Sequence, residues 1–313
     1  MFINNINPIF AHIGPLEIRW YGLVYAISFI FLYFYLKFIT KKKVIPNFEE
    51  SEVETFLIGL IITMIIGARL FHCFIYHPHY YFKHPLEIFM IWKGGLSFHG
   101  AILFMTMWVY YFAKHRKIHI LVLSDFLVFP AALFLALGRM ANFVNGELVG
   151  KLTNVSWAVN FNNSKAYAGT FRHPTQIYEA FKNLFLFFIL AAVKIIQGQI
   201  FRQYVPGLMT AIFLIGYGAL RFFIEFLKEG ATVVLGLNMG QILSVFVIIF
   251  GIYLANQIHK INKDLKCNHC SKTENNNLEK KKSNKKTKKN KKTENKTNIK
   301  NNNNKETKNH NNN

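Results

Sequence analysis

Cysteine is nearly absent from this chain of 313 residues, which contains three: Cys73, Cys267 and Cys270. Three thiols cannot supply the disulfide framework of a small secreted domain. Cys267 and Cys270 form a C-x-x-C pair, but a zinc knuckle needs a second pair of ligands, and only His259 is available upstream. We therefore expect no metal site and no structural disulfides.

Several motifs of well-known enzyme classes are also missing. The chain contains no G-x-S-x-G, no H-E-x-x-H, no Walker A sequence and no G-x-G-x-x-G. These absences argue against an α/β-hydrolase, a zinc protease, a P-loop NTPase and a dinucleotide-binding enzyme. No internal repeat relates two halves of the chain, as it does in many transporters.

Apolar residues are abundant, at 52% hydrophobic and 16% aromatic, with 32 phenylalanines. This composition is too apolar for a soluble domain, and several segments reach the ~20 residues that span a bilayer. We predict an all-α integral membrane protein with seven transmembrane helices. The predicted spans are 18–39, 55–75, 96–113, 121–143, 177–196, 206–226 and 239–257.

The net charge of +21 at first suggests nucleic acid as a partner. However, residues 259–313 hold 17 lysines against 5 acidic residues, so +12 of that charge lies in this Lys/Asn-rich tail. The tail is too polar to bury a core, and we predict that it is disordered and cytoplasmic. The membrane domain is then 1–258, and nucleic acid is not an expected partner.

The distribution of lysine and arginine between loops predicts the orientation. Basic residues at 41–43, 114–117, 194 and 202 and in the tail fall on one side of a seven-span topology. That side should be the cytoplasm, with the N-terminus outside. A small extracytoplasmic insertion, about 144–175, then separates spans four and five.

The stretch 138–153, GRMANFVNGELVGKLT, places polar groups at the end of span four, where lipid is expected. An arginine at membrane depth costs roughly 3 kcal/mol, so it usually faces a protein interior or a wet cavity. Arg139 and Asn142 share a helix face, and Asn145-Gly146 should end that helix. In this topology all seven spans bring polar residues to the outer leaflet.

Tyr217, Arg221 and Glu225 lie four residues apart and should line one face of span six. Arg221 and Glu225 could be only a structural ion pair that holds the helices together. However, Arg221 and Arg139 lie at one depth and repel each other unless an anion is present. A guanidinium suits a phosphodiester, and the natural anion in an outer leaflet is a phospholipid headgroup.

Other polar residues at the outer ends have two readings. His99, in GGLSFHG, titrates near neutrality and is a candidate base, although a lone histidine is often only a structural hydrogen-bonding group. Tyr21 is a functional phenol or part of an aromatic belt. The stretch 173–180, HPTQIYEA, is a helix start or a substrate contact.

Seven motifs in order resemble the prolipoprotein diacylglyceryl transferase family, and they cover 14 to about 256. The motifs are IRWYGLVY, GARLFHCFIY, KGGLSFHGA, GRMANFVNGELVGKLT, RHPTQIYEA, GYGALRFFIEFLKE and NMGQILS. The resemblance implies a seven-span enzyme of the bacterial cell membrane with its active site toward the outer leaflet. Such an enzyme moves the diacylglyceryl group of phosphatidylglycerol to the lipobox cysteine of preprolipoprotein signal peptides and releases glycerol phosphate. No cofactor is expected.

Matched by motif, Arg139 and Arg221 correspond to the family arginines that hold the lipid phosphate, and His99 corresponds to its essential histidine. The thiol proton could go to His99, Tyr21 or Glu147. The other positions that the resemblance marks for activity or for shaping the site are Tyr21, Asn142, Glu147, Gly150, Tyr217 and Glu225.

The chain departs from the family pattern at several positions. Met140-Ala141 replaces a small-Gly pair, Lys228 stands where many members have arginine, and Glu229-Gly230 lacks a frequent proline. Lysine keeps the charge but loses the bidentate fork.

Two alternative functions are also compatible with this sequence. One is a non-catalytic lipid or anion transporter that uses the same arginines. The other is a structural membrane anchor whose basic tail binds anionic lipid or nucleic acid.

Overall fold

The computed structural model describes residues 1–14, 16–199, 204–229, 232–234 and 236–261. The chain divides into two compact units, Met1–Asn256 and Gln257–Asn313. The described part of the second unit is the last helical segment, 257–261. Most of the predicted disordered tail, 259–313, and the Cys267–Cys270 pair therefore lie outside the described residues.

A long helix lies at each predicted span, and one short α-helix lies between the second and third spans. The predicted end of span four is confirmed, because Gly146 adopts a left-handed φ of 67° directly after Asn145. The helices are α1 Trp20–Lys41, α2 Val53–Phe71, α3 Pro78–Lys83, α4 Phe98–His115, α5 Ile120–Asn145, α6 Thr175–Gln199, α7 Leu208–Glu225 and α8 Met239–Ile261.

Five of the described helices are long and apolar enough to cross a membrane: α1, Glu50–Tyr76 (which contains α2), α5, α7 and α8. The other two long helices, α4 and α6, hold more polar residues. α4 ends in Lys114-His115, and α6 carries Glu179, Lys182 and Lys194. The fold is thus that of a mostly helical membrane protein with five spans evident from composition.

The helices pack in two sets, and α5 belongs to both. In the first set α2 packs against α4, and α5 contacts α1 and α4. In the second set α5 contacts α6 and α7. Three rings, Phe48, Phe56 and Phe112, meet at centroid distances of 4.8–5.6 Å near the end of α4. At the opposite end of α4, Gly67 and Gly100 bring two backbones together, since a Cβ on either would overlap the other's carbonyl oxygen.

The structure contains short strands that the predicted all-α fold did not include. Some of them connect the N-terminal segment to the insertion, and the others form local pairs. β1 pairs in parallel with β4, and β4 pairs antiparallel with β5; β2–β3 and β6–β7 are hairpins. Strands this short leave no alternating pattern in the sequence. Their bounds are β1 Phe2–Ile3, β2 Ile9–Ile13, β3 Leu16–Arg19, β4 Val159–Asn160, β5 Phe171–Arg172, β6 Thr232–Val234 and β7 Leu237–Asn238.

Polar contacts connect the N-terminal segment to the insertion and to the end of α5. The Met1 ammonium donates to Ser156 O at 2.7 Å, and the fully buried Asn4 side chain donates to Phe143 O, also at 2.7 Å. Phe143 lies in the last turns of α5. The first residues of the chain therefore help to hold the end of the helix that carries Arg139.

Candidate active site

Two amides connect the predicted residues at the end of α5. Arg139 Nη1 donates to Asn142 Oδ1 at 3.3 Å, and Asn142 Nδ2 donates to Glu147 Oε1 at 2.8 Å. Asn145 Nδ2 also donates to Glu147 Oε1, at 3.2 Å. Because the chain turns at Gly146, Glu147 folds back onto the helix face that Arg139 and Asn142 share.

The predicted stripe on α7 is present. Arg221 Nη1 donates to Tyr217 Oη at 3.1 Å, and Arg221 Nε lies 4.0 Å from Glu225 Oε2. These contacts follow from four-residue spacing on a helix. The arginine is thereby held along its own helix, with a fifth of its side chain still exposed.

Glu179 connects α5, α6 and the residues after α7. It lies in the stretch 173–180, for which the sequence left a helix start and a substrate contact open, and it was given no role of its own. Its carboxylate is 1% exposed, and Lys182 Nζ lies 2.6 Å from Oε2 while Lys228 Nζ lies 2.8 Å from Oε1. Arg139 Nε lies 4.0 Å from the same Oε2. Three cations from different parts of the chain thus surround one buried carboxylate.

Lys182 extends this network to the second arginine. Its ammonium lies 3.9 Å from the centroid of the Tyr217 ring, and Tyr217 accepts from Arg221. Lys228 Nζ also lies 3.3 Å from Glu225 Oε2. Arg139 and Arg221 therefore belong to one network, whose members are Arg139, Glu179, Lys182, Tyr217, Arg221, Glu225 and Lys228. Four cations against two carboxylates leave this network positive.

Gly150 lies where three backbone segments approach each other, rather than in this charged network. Its N–H donates to His173 O at 2.9 Å, its carbonyl accepts from Arg172 Nη1 at 3.2 Å, and it forms a β-bridge with Lys228. A Cβ at this position would lie 2.7 Å from Leu227 O. Glycine is needed because no side chain fits, and the bridge positions Lys228 beside Glu179.

His99 lies at the start of α4 and contacts Tyr76. The Tyr76 hydroxyl lies 2.9 Å from His99 Nδ1, and Tyr76 ends a π-helical turn, His72–Tyr76, that follows α2. Such turns occur frequently at functional sites. In the part of the chain that the structure describes, no hydrogen bond or ion pair connects His99 to the Glu179 network.

Arg69 fixes the loop that leads to His99. Its buried guanidinium donates five hydrogen bonds, of 2.5–3.3 Å, to main-chain carbonyls of that loop. Next along the chain, Ser97 N donates to Ala68 O at 2.9 Å, and Ser97 Oγ caps α4 by accepting from Gly100 N. The carbonyls that Arg69 contacts belong to Glu87, Ile88, Met90, Gly94 and Gly95.

Tyr21 lies in the first turn of α1. Its hydroxyl is 3.1 Å from that of Tyr25, one turn along α1, and it lies within electrostatic range of Glu147 and Arg139. Its ring is about one-third exposed. Within the described ranges, no three His, Cys, Asp or Glu side chains cluster in a way that could hold a metal.

Comparison with known proteins identifies one family, both by its sequence model and by individual relatives. The model of the prolipoprotein diacylglyceryl transferase family matches residues 8–256. The chain belongs to this family. It is 40% identical over 254 residues to the phosphatidylglycerol–prolipoprotein diacylglyceryl transferase of Ehrlichia ruminantium, covering 79% of this chain and 95% of that protein. The proteins of the same name from Rickettsia akari and Rickettsia bellii (strain OSU 85-389) are 37% and 40% identical, with 98% and 96% of their lengths covered and 82% and 81% of this chain.

Proposed function

We propose that this protein transfers the diacylglyceryl group of phosphatidylglycerol to the lipobox cysteine of preprolipoproteins, with release of glycerol phosphate. This is the first step of lipoprotein maturation, and it forms a thioether. Family membership supports the reaction. The observation that supports the assignment of the site is the positive network in which Arg139 and Arg221 are connected through Glu179, Lys182 and Tyr217.

The reaction is a displacement at C3 of the diacylglycerol unit. The sulfur bonds to C3 as the C3–O bond to phosphate breaks, and the electron pair leaves with glycerol phosphate. The nucleophile is a thiolate, so a base must take the thiol proton. Arg139 and Arg221 stabilise the negative charge that grows on the phosphate, and this effect is strong where water is scarce.

His99 is the base in this proposal, with Tyr76 beside it. An in-line displacement needs the nucleophile and the leaving group on opposite sides of the carbon. A base that is separate from the arginine network is consistent with that requirement. Tyr21 and Glu147 are the other candidates for accepting the proton, and Asn142, Tyr217 and Glu225 orient the arginines. Gly150 shapes the site through its close backbone contacts.

The site belongs to the outer leaflet of the bacterial cell membrane in a seven-span topology, with the N-terminus outside and the C-terminus in the cytoplasm. The two additional spans are α4 and α6, whose polar residues include His99 and Glu179. The positive loops support this orientation. The site residues lie at the helix ends opposite to those loops.

The decisive assay incubates the purified protein with phosphatidylglycerol vesicles and a peptide that contains a lipobox cysteine. Mass spectrometry should find the thioether-linked peptide and free glycerol phosphate. Arg139→Ala and Arg221→Ala should each lower the rate at least ~100-fold, since they remove charge stabilisation in the transition state. Arg19→Ala, which removes an exposed side chain paired with Glu17, is the matched control and should keep full activity.

Movement of phosphatidylglycerol between vesicles without any thioether product would favour the transporter instead. Full activity of both arginine variants would contradict the phosphate-binding roles but not the reaction.

A further inference from the structure

We infer that Lys182 and Glu179 are positioning residues for the transfer reaction, and that the two lysines on Glu179 keep Arg139 available for the lipid phosphate. This inference rests on the proposed function. The reason is a competition between anions. A buried carboxylate next to an arginine normally takes it into a bidentate pair, which would compete with a substrate phosphate.

In this protein the carboxylate is already occupied. Lys228 Nζ lies 2.8 Å from Oε1 of Glu179, and Lys182 Nζ lies 2.6 Å from Oε2. Arg139 Nε lies 4.0 Å from Oε2, which is too long for a hydrogen bond. Its Nη1 donates a single long hydrogen bond, of 3.3 Å, to Asn142. The guanidinium is thus held in place but is not consumed by Glu179.

Lys182 is buried deeply enough to need this arrangement. Its side chain is 2% exposed, and an ammonium at such a depth requires a counter-charge. Glu179 supplies the charge on one side, and the Tyr217 ring, 3.9 Å away, covers another side by a cation–π contact. Because Tyr217 accepts from Arg221, Lys182 also fixes the ring that orients the second arginine.

The same helix contains a matched control. Lys194 lies twelve residues further along α6, and its ammonium lies 4.9 Å from the Phe129 centroid and 3.4 Å from Tyr35 Oη. It is a lysine of α6 beside aromatic rings, as Lys182 is, and it lacks a carboxylate partner among the described residues. Lys194→Met therefore tests the loss of such a lysine without disturbing Glu179.

The experiment measures steady-state kinetics of wild type, Lys182→Met, Lys182→Arg, Glu179→Gln/Lys182→Met and Lys194→Met. KM for phosphatidylglycerol and KM for the lipobox peptide are determined separately. KM does not depend on how much of the preparation is folded, so partial misfolding does not hide the effect.

We expect Lys182→Met to raise KM for phosphatidylglycerol roughly tenfold, because Glu179 then takes Arg139. KM for the peptide should stay unchanged. The double variant, which removes the competing charge as well, should return to within about threefold of wild type, and Lys182→Arg should be nearly normal. Lys194→Met should match wild type.

Two results would overturn the inference while leaving the proposed function intact. One is an unchanged phosphatidylglycerol KM in Lys182→Met. The other is a double variant as impaired as Lys182→Met, which would mean that Lys182 contacts the phosphate directly. Absence of thioether product from the wild type would instead reject the proposed function.

Discussion

The Tyr76 hydroxyl lies 2.9 Å from Nδ1 of His99, so the residue that ends the second apolar helix contacts the candidate base at the start of α4. A neutral imidazole can accept a proton at Nε2 only when Nδ1 carries the hydrogen. In that tautomer Nδ1 donates to the tyrosine oxygen. Tyr76 would then keep Nε2 free to accept the thiol proton.

Tyr76→Phe should lower kcat roughly five- to tenfold, because it removes one hydrogen bond worth about 1 kcal/mol from the base. His99→Gln should give no detectable product, and adding Tyr76→Phe to it should change nothing further. The control is Tyr110→Phe, which removes a hydroxyl from an exposed tyrosine on α4, the helix that carries His99. The measurement is thioether formation at saturating substrate. Wild-type turnover by Tyr76→Phe would show that the tyrosine does not support the base.

Arg69→Lys should loosen the loop before α4. The guanidinium makes five hydrogen bonds to carbonyls of that loop, and an ammonium has only three donors on one atom. We expect a loss of about 3 kcal/mol of stability, faster amide hydrogen exchange over 85–97 and slower turnover. Arg19→Lys is the control and should leave the exchange unchanged. Equal protection of the loop in both variants would contradict the anchoring role.

Sequence reasoning found the contacts that lie along one helix. Tyr217, Arg221 and Glu225 are spaced so that α-helical geometry alone predicts their shared face, and the structure confirms it. The helix end at Asn145 was predictable for a similar reason, since Gly146 readily adopts the left-handed conformation.

Contacts between distant segments could not be found in this way. Glu179 and Lys228 are 49 residues apart, and helix periodicity does not say which helices are neighbours. In the sequence nothing distinguishes Lys182 from other basic residues, and its contact with the Tyr217 ring is visible only in the structure. The sequence places Arg69 in the outer part of span two but does not reveal its partners, because its acceptors are backbone carbonyls that every sequence supplies.

Gly150→Ala should reduce activity at least tenfold. A Cβ there would lie 2.7 Å from atoms of His173 and from Leu227 O, so the bridge to Lys228 must shift. Overpacking of this kind costs ~1–3 kcal/mol and would move the lysine away from Glu179. Gly138→Ala is the matched control, since a Cβ at this position meets no atom within 4 Å and Gly138 lies inside α5. It should keep activity and gain about 0.5–1 kcal/mol of stability. The opposite ranking of the two variants would contradict the packing argument.

Asp125→Ala should destabilise the protein more than it affects the chemistry. The fully buried carboxylate accepts from Gly207 N, Thr210 N and Thr210 Oγ1 at 2.6–2.8 Å, and from Tyr204 Oη at 2.9 Å. It therefore caps the first turn of α7 from the side of α5.

Partial burial, reinforced by the adjacent carboxylate, raises the pKa of the Tyr204 hydroxyl, so Tyr204 is the donor in this contact and Asp125 the acceptor. Loss of the carboxylate leaves these donors unpaired and should cost about 3 kcal/mol, which thermal unfolding in detergent would detect. Ser124→Ala is the neighbouring control, because it removes a 2.9 Å contact to Thr210 Oγ1 and a 3.1 Å bond to Leu121 O within α5 but no buried charge, and it should cost ~1 kcal/mol. If both variants unfold at the same temperature, Asp125 does not hold α7 against α5.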